Sequence, residues 1–319
     1  MSARWVAGSV RSRALPNRRL GSAGARALAA SPSVDDAVEA LARSPYRRFV
    51  RVGDSLAAAQ RGVADTLLWH LRVLAGWVPA DGVRVLRLLA GWFEVSNVDG
   101  LAASLAAGAA APRESPYQAP GERPYQLGRL ATAWPRLAVA TSAADLRLAL
   151  ARSPWGDPGG EGAGTVSLAL RLAWADRVAA GVAPAEAWAR GAVALLVARN
   201  VAGQPVPGLS GPAAGTVTRL LGLGWARTAS VASLAAVLPP SAAWALHGVR
   251  SRADLWQAEA RWWARVRRDA EALLAAPGFG LRSAVGAVAL LAVDACQVRA
   301  ALEVVARGGQ GSEVLDALA

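Results

Sequence analysis

Apolar residues in this chain recur at intervals of three and four, and almost nothing alternates with period two. Leu56, Ala59, Val63, Leu67 and Leu71 fall on one helical face, a stripe that a strand would split between its two sides. The same spacing runs through most of the sequence, so the expected fold class is all-α. The breaks between helices are equally patterned. Ser33-Val34-Asp35-Asp36 places a hydroxyl three residues ahead of an acid, the signature of a capped helix start. That helix should stop at Ser44, because Pro45 pushes the residue before it out of the helical region. Asp54 is expected to cap a longer helix, and Pro79 and Asp81 to open a third that runs to Phe93. Asn97, after a polar break at Ser96, is expected to cap a short helix over residues 98–105.

This unit recurs. Ala40-Leu41-Ala42-Arg43-Ser44-Pro45 is repeated as Ala149-Leu150-Ala151-Arg152-Ser153-Pro154, a shift of 109 residues, followed by Tyr46 in one and Trp155 in the other. The capping pairs Ser33/Asp36 and Ser142/Asp145 keep the same shift. A second echo sets Gly191-Ala192-Val193-Ala194-Leu195-Leu196 against Gly286-Ala287-Val288-Ala289-Leu290-Leu291, a shift of 95. Each is followed by a polar break, at 199–201 and 294–298, and both correspond in order to Asn97-Val98 within residues 87–105. A weaker third start lies at 230–244, where Ser233 takes the acid's place. Proline- and glycine-rich stretches at 107–124 and 201–212 read as linkers. The expectation is three pseudo-repeated helical domains, at 1–110, 111–210 and 211–319. A period of about 100 residues is too long for the common solenoids.

Composition narrows the function classes. Hydrophobic residues make up 54% and the mean hydropathy is +0.27, but much of this is alanine, which suits tightly packed helices. Lysine and isoleucine are absent and asparagine stands only at positions 17, 97 and 200, the mark of a GC-rich genome. The net charge of +12 therefore rests wholly on arginine. Two readings of it stay open: a surface for nucleic acid or anionic headgroups, or composition and solubility alone. The arginines are scattered. The densest stretches, 11–19 and 261–268, are interrupted by apolar residues, and three tyrosines with three phenylalanines are too few for a base-stacking platform. One cysteine, Cys296 in an apolar run, excludes a disulfide framework and fits a structural thiol in a reducing compartment. The Arg/Ser/Ala-rich first 30 residues superficially resemble a targeting peptide but lack a secretory apolar core. The closest approach to a membrane span, 228–246, is broken by Pro239-Pro240, so no transmembrane segment is expected.

No residue pattern points to catalysis, a cofactor or a metal. His70 and His247 lie in different repeats, within apolar helical patterns and without a Cys or carboxylate set at ligand spacing, and read as structural histidines. The glycine-rich stretch 156–164 lacks the Lys-Ser/Thr of a phosphate loop and a preceding strand. Asp35 and Asp36 suit a helix N-terminus better than acid/base work. Of the 13 tryptophans, Trp69, Trp77, Trp92, Trp174, Trp188, Trp256, Trp262 and Trp263 sit in helical segments and read as core or inter-helix filling. Neighbours on a helix point about 100° apart, so one of Trp262 and Trp263 could reach a surface beside Arg261, Arg265 and Arg268. A buried stripe flanked by solvated arginines explains the pair as well.

Several stretches together resemble the C-type central-stalk component of the bacterial and archaeal V/A-type rotary ATPases, the relative of the d component of the eukaryotic V-ATPase. Trp5 followed by Val6-Ala7-Gly8-Ser9-Val10-Arg11-Ser12-Arg13-Ala14-Leu15 is similar to the family's opening aromatic and short basic helix. Residues 33–46 match its acid-capped helix ending in a small-Pro-Tyr turn. Phe93-Glu94-Val95-Ser96-Asn97-Val98-Asp99-Gly100-Leu101 matches its most specific signature. There Glu94 replaces an aspartate and Asp99-Gly100 replaces a basic residue, while Gln297 stands for the asparagine in the last repeat. Val298-Arg299 through Arg307-Gly308, then Ser312-Glu313-Val314-Leu315, fit its C-terminal pair of helices. The resemblance implies a divergent, non-catalytic member: three helical domains in a funnel-like, pseudo-threefold arrangement, peripheral on the cytoplasmic face of the membrane. Its partners would be the central-shaft subunits and the proteolipid rotor ring, and its task torque transmission for proton or sodium transport. The alternative is a basic all-helical protein that binds nucleic acid or an anionic membrane surface.

Overall fold

The computed structural model of the chain describes residues 3–107, 123–200, 209 and 211–318; the two expected linkers fall largely outside the described residues. Among the described residues every regular element is helical and no strand forms, as the spacing of apolar residues demands. The α-helices in chain order are α1 (Val6–Ala14), α2 (Gly21–Ala29), α3 (Val34–Ala42), α4 (Leu56–Ala75), α5 (Ala80–Ala107), α6 (Trp134–Leu137), α7 (Ala143–Ala151) and α8 (Ala163–Gly181). There follow α9 (Glu186–Asn200), α10 (Gly211–Leu221), α11 (Val231–Val237), α12 (Pro240–Ala243), α13 (Leu255–Ala275), α14 (Leu281–Ala306) and α15 (Ser312–Leu318). Two compact units result. The first comprises Met1–Leu86 and Glu259–Ala319, the second Arg87–Ala258.

In the first unit α14 is the central post. It packs against α1, α2, α3, α4 and α15. Its residues Ala295, Val298, Ala301, Leu302 and Val305 join Ala25, Leu28, Val38, Leu41, Tyr46, Val50 and Val63 in one buried cluster. By length and composition α14 is apolar enough to cross a membrane, but 78% of its most apolar stretch is buried within the protein, as in the core helix of a bundle. Ser33 caps α3 by accepting from the Asp36 amide. Ser55, not Asp54, caps α4, accepting from the Ala58 amide. The Asp54 carboxylate instead accepts from the Arg51 amide at 2.8 Å and closes the turn ahead of the helix. Gly62 lets α4 approach that turn closely: a Cβ there would lie 2.5 Å from the Phe49 carbonyl oxygen.

In the second unit the later part of α5 takes the corresponding place. Val95, Val98 and Ala102 pack with Ala133, Leu137, Leu146, Leu150, Trp155, Val166 and Leu170. Ser142 caps α7 on the Asp145 amide, the counterpart of Ser33 on α3. Further along, α9 packs against α8, α10, α12 and the turn at 244–246, and α11 starts with a capping box between Ser230 and Ser233. One sequence expectation fails here. There is no break at Ser96-Asn97 and no short helix over 98–105, because α5 continues through both for 28 residues. Asn97 does not cap; it is a buried side chain inside the helix. Ser96 satisfies its hydroxyl by donating to the Trp92 carbonyl one turn back, at 3.1 Å, which is how a serine is accommodated in a helix interior.

Candidate functional site

Two buried carboxylates on the long helices organise the polar interior. On α5, Glu94 is 0% exposed. It accepts from the Thr132 amide at 2.6 Å, the Ala133 amide at 2.7 Å and the Trp155 indole Nε1 at 2.7 Å. On α14, Asp294 is 2% exposed. It accepts from the Leu20 amide at 3.0 Å, the Gly21 amide at 2.7 Å and the Tyr46 hydroxyl at 2.7 Å. In each case two consecutive backbone N–H groups at the start of a helix, α6 or α2, meet one side-chain donor from the aromatic residue that follows the repeated Ser-Pro. Every partner is a donor, so both pockets suit acceptor-only carboxylate oxygens. The amides sit at a helix N-terminus, where the backbone dipole also favours negative charge.

The repeated sequence explains the aromatic donors. Ser44 donates to the Leu41 carbonyl at 2.6 Å and accepts from the Tyr46 amide at 3.1 Å. Ser153 donates to the Leu150 carbonyl at 2.8 Å and accepts from the Trp155 amide at 3.1 Å. These bonds turn the chain after α3 and after α7 in the same way and aim the next aromatic residue at the carboxylate. Gly21 adopts φ +76°, a conformation open to glycine, where it presents its amide to Asp294. Burial, then the Asp294 charge and hydrogen bond, push the Tyr46 hydroxyl well above its ordinary pKa, so it remains a donor across the physiological range.

Three residues after each carboxylate stands an amide. The Asn97 side-chain oxygen accepts from the Tyr125 amide at 2.6 Å and its nitrogen donates to the Tyr125 carbonyl at 3.0 Å. This holds the chain entering the second set of helices as a strand neighbour would. The Gln297 nitrogen donates to the Leu318 carbonyl at 2.6 Å and to the Ser22 hydroxyl at 3.2 Å, tying α15 and α2 to α14. Five residues on from Glu94, Asp99 pairs with Arg171 at 2.7 Å, with both side chains largely buried. Burial raises the Asp99 pKa, and the Arg171 charge opposes that rise. Where the 95-residue echo places the counterpart of Asp294, α9 carries Arg199. Trp244, which follows α12, donates to the Ser241 carbonyl at 3.0 Å.

The other residues singled out in the sequence are scattered. His70 is buried in α4, 4.8 Å from the Trp69 ring. Burial, and then Arg18 and Arg11, lower its pKa to about 4. His247 is exposed and lies outside the expected helical pattern, because the chain leaves the helical turn at Leu246. Cys296 is half-buried as a residue, and burial of its thiol pushes the pKa up to about 12. Among the described residues no group of three His, Cys, Asp or Glu comes together as a metal site would require. The 156–164 stretch is a turn closed by the pair of Arg147 and Asp157 at 3.0 Å, and α8 begins within it at Ala163. Asp35 and Asp36 lie in the first turn of α3. Trp77 and Trp256 are exposed, while Trp188 is buried. The Trp262 and Trp263 rings meet edge to face at 4.9 Å, and both residues are half-buried.

Chemically, Glu94 and Asp294 are holding groups. Each is buried, at 0% and 2% exposure, and each meets three donors. Neither role was assigned from the sequence. The one signal was the shared three-residue spacing of acid and amide, Glu94/Asn97 and Asp294/Gln297. Comparison with known protein families finds no model that matches the chain, and comparison with curated proteins finds no match.

Proposed function

We propose that this chain is a non-catalytic coupling component of a V/A-type rotary ATPase, seated between the central shaft and the proteolipid rotor ring on the cytoplasmic face of the membrane. In this reading the chain is built from three copies of one helical unit in a pseudo-threefold arrangement. It carries torque for proton or sodium movement and does no bond chemistry of its own. The observation that carries the reading is the use made of residues 93–101, the stretch most similar to the family signature. Its acid, Glu94, holds the start of α6 and the Trp155 indole, and its asparagine holds Tyr125. The same device recurs at Asp294 and Gln297, which supports a repeat. A part that transmits torque must resist shear, and long helices pinned at mid-length by buried, charge-assisted bonds suit that demand. The test is co-expression with the shaft and ring subunits encoded by the same genome. Stoichiometric co-purification is expected, and its absence together with intact folding of the chain overturns the reading.

A second reading has its own observation. Arg47, Arg48 and Arg51 are exposed on one turn, which favours a basic helical protein that binds an anionic membrane surface. Salt-sensitive sedimentation with vesicles, combined with failed co-purification with the shaft and ring subunits, is the outcome that would favour it.

A further inference from the structure

We propose that the turn at 47–52, between α3 and α4, docks the protein on anionic lipid headgroups. Its sequence alternates charge with apolar tips: Arg47-Arg48-Phe49-Val50-Arg51-Val52. Val50 is the anchor, 1% exposed within the core, while Phe49 is 36% and Val52 66% exposed. Arg47, Arg48 and Arg51 are exposed, and among the described residues none of the three forms an ion pair. The Arg48 guanidinium lies 5.6 Å from the Phe49 ring and 4.6 Å from the Trp69 ring. The turn is held by backbone bonds from Phe49 and Val50 to the Tyr46 carbonyl, both 3.1 Å, and from Asp54 to the Arg51 carbonyl at 3.2 Å. It is a fixed platform, so little ordering is needed on docking.

The second copy of the motif shows that the fold does not ask for this content. After Trp155, which does for Glu94 what Tyr46 does for Asp294, the chain reads Gly156-Asp157-Pro158-Gly159-Gly160-Glu161. That stretch has two acids, no arginine and no large apolar residue. The anchor bond forms beside either turn, so it does not itself call for the arginines, Phe49 or Val52. Two apolar tips on one turn are too small for a stable protein interface, which needs about 800 Å² per partner. Apolar side chains reaching the acyl boundary with arginines at headgroup level are what an interfacial membrane contact uses, with each arginine adding attraction to anionic lipid. The proposal rests on the membrane-proximal placement above. Its test needs no other component of the motor: failed co-purification removes the rotary reading, whereas failed vesicle binding removes this turn's role, and the second reading with it, and leaves the rotary one standing.

The experiment is sedimentation of the full chain with vesicles of phosphatidylcholine alone or with a third phosphatidylglycerol. The wild type should partition onto the anionic vesicles at least about tenfold better than onto the neutral ones, and lose this with rising salt. Arg47→Ala with Arg51→Ala should weaken anionic binding by roughly 20-fold, and Phe49→Ser with Val52→Ser by about tenfold. Asp157→Ala with Glu161→Ala should not weaken it. A dye on Val52→Cys should shift to the blue only with anionic vesicles, a readout independent of altered folding in the double variants. Equal binding to both vesicle types, a dye that does not respond, or arginine variants that lose binding to duplex DNA but keep vesicle binding would each overturn the proposal.

Discussion

Asp294 in the first unit and Glu94 in the second do the same task with different parts. Each carboxylate takes two backbone amides and one aromatic donor, but the lengths are exchanged. The shorter Asp294 meets Tyr46, whose hydroxyl sits at the far end of its ring. The longer Glu94 meets Trp155, whose Nε1 lies along the side of the indole, nearer its own backbone. Reach lost on one side is recovered on the other, and the two aromatic contacts come out at the same 2.7 Å. What is held constant between the units is therefore the position of a charge among three donors, not the residues that put it there.

Removing the charges should show the largest effect. Glu94→Ala leaves two amides and an indole N–H buried without an acceptor, and Asp294→Ala leaves two amides and a phenol. Each loss should cost about 3–5 kcal/mol, a large part of the roughly 5–15 kcal/mol typical of a folded chain. Chemical denaturation followed by circular dichroism checks this. Similar losses sharpen the comparison, and a loss below about 1 kcal/mol at either site breaks it.

Acid should weaken the first unit through His70, whose folded pKa is about 4 against an ordinary 6.5. The unfolded chain takes up a proton at His70 more readily than the folded one, so stability falls as pH drops from about 6.5 to 4. After solvent screening the loss is about 2 kcal/mol. His70→Gln should flatten that slope in denaturation measured from about pH 7 to 4, and an unchanged slope would remove His70 as its source. A loss of similar size is expected at the phenol. Tyr46→Phe keeps the packing and deletes one bond to a charged group, for about 1.5–3 kcal/mol. Differential scanning calorimetry reads it, and no change would mean that the two amides alone hold Asp294.

Much of the framework was legible in the sequence for a local reason. Ser33 and Ser142 cap helices whose start they precede by one residue, and Ser44 and Ser153 each turn the chain within two residues, so neighbours in sequence carried the signal. The anchors were not legible because their partners are remote: Tyr46 lies 248 positions from Asp294, and Trp155 lies 61 from Glu94. An acid in a helical pattern reads as surface unless its buried donors are known. Asn97 misled for the same reason. Beside Ser96 it resembles a helix start, and only the Tyr125 backbone, 28 residues on, shows why an amide belongs inside α5. Asp54 and Ser55 were competing caps one residue apart, and the choice between them rests on backbone angles that composition does not encode.

The claim that both sites are versions of one length-matched device is tested most directly by a double-mutant cycle on Glu94→Asp and Trp155→Tyr, with stability as the readout. Each single change should be destabilising, because a short acid faces a short donor or a long acid faces a long one. The double variant, which installs the Asp294–Tyr46 pair in the second unit, should recover about 1–2 kcal/mol relative to the sum of the singles. Strictly additive losses would contradict the account, since the carboxylate and the aromatic residue would then be fitted to the fold independently and not to one another.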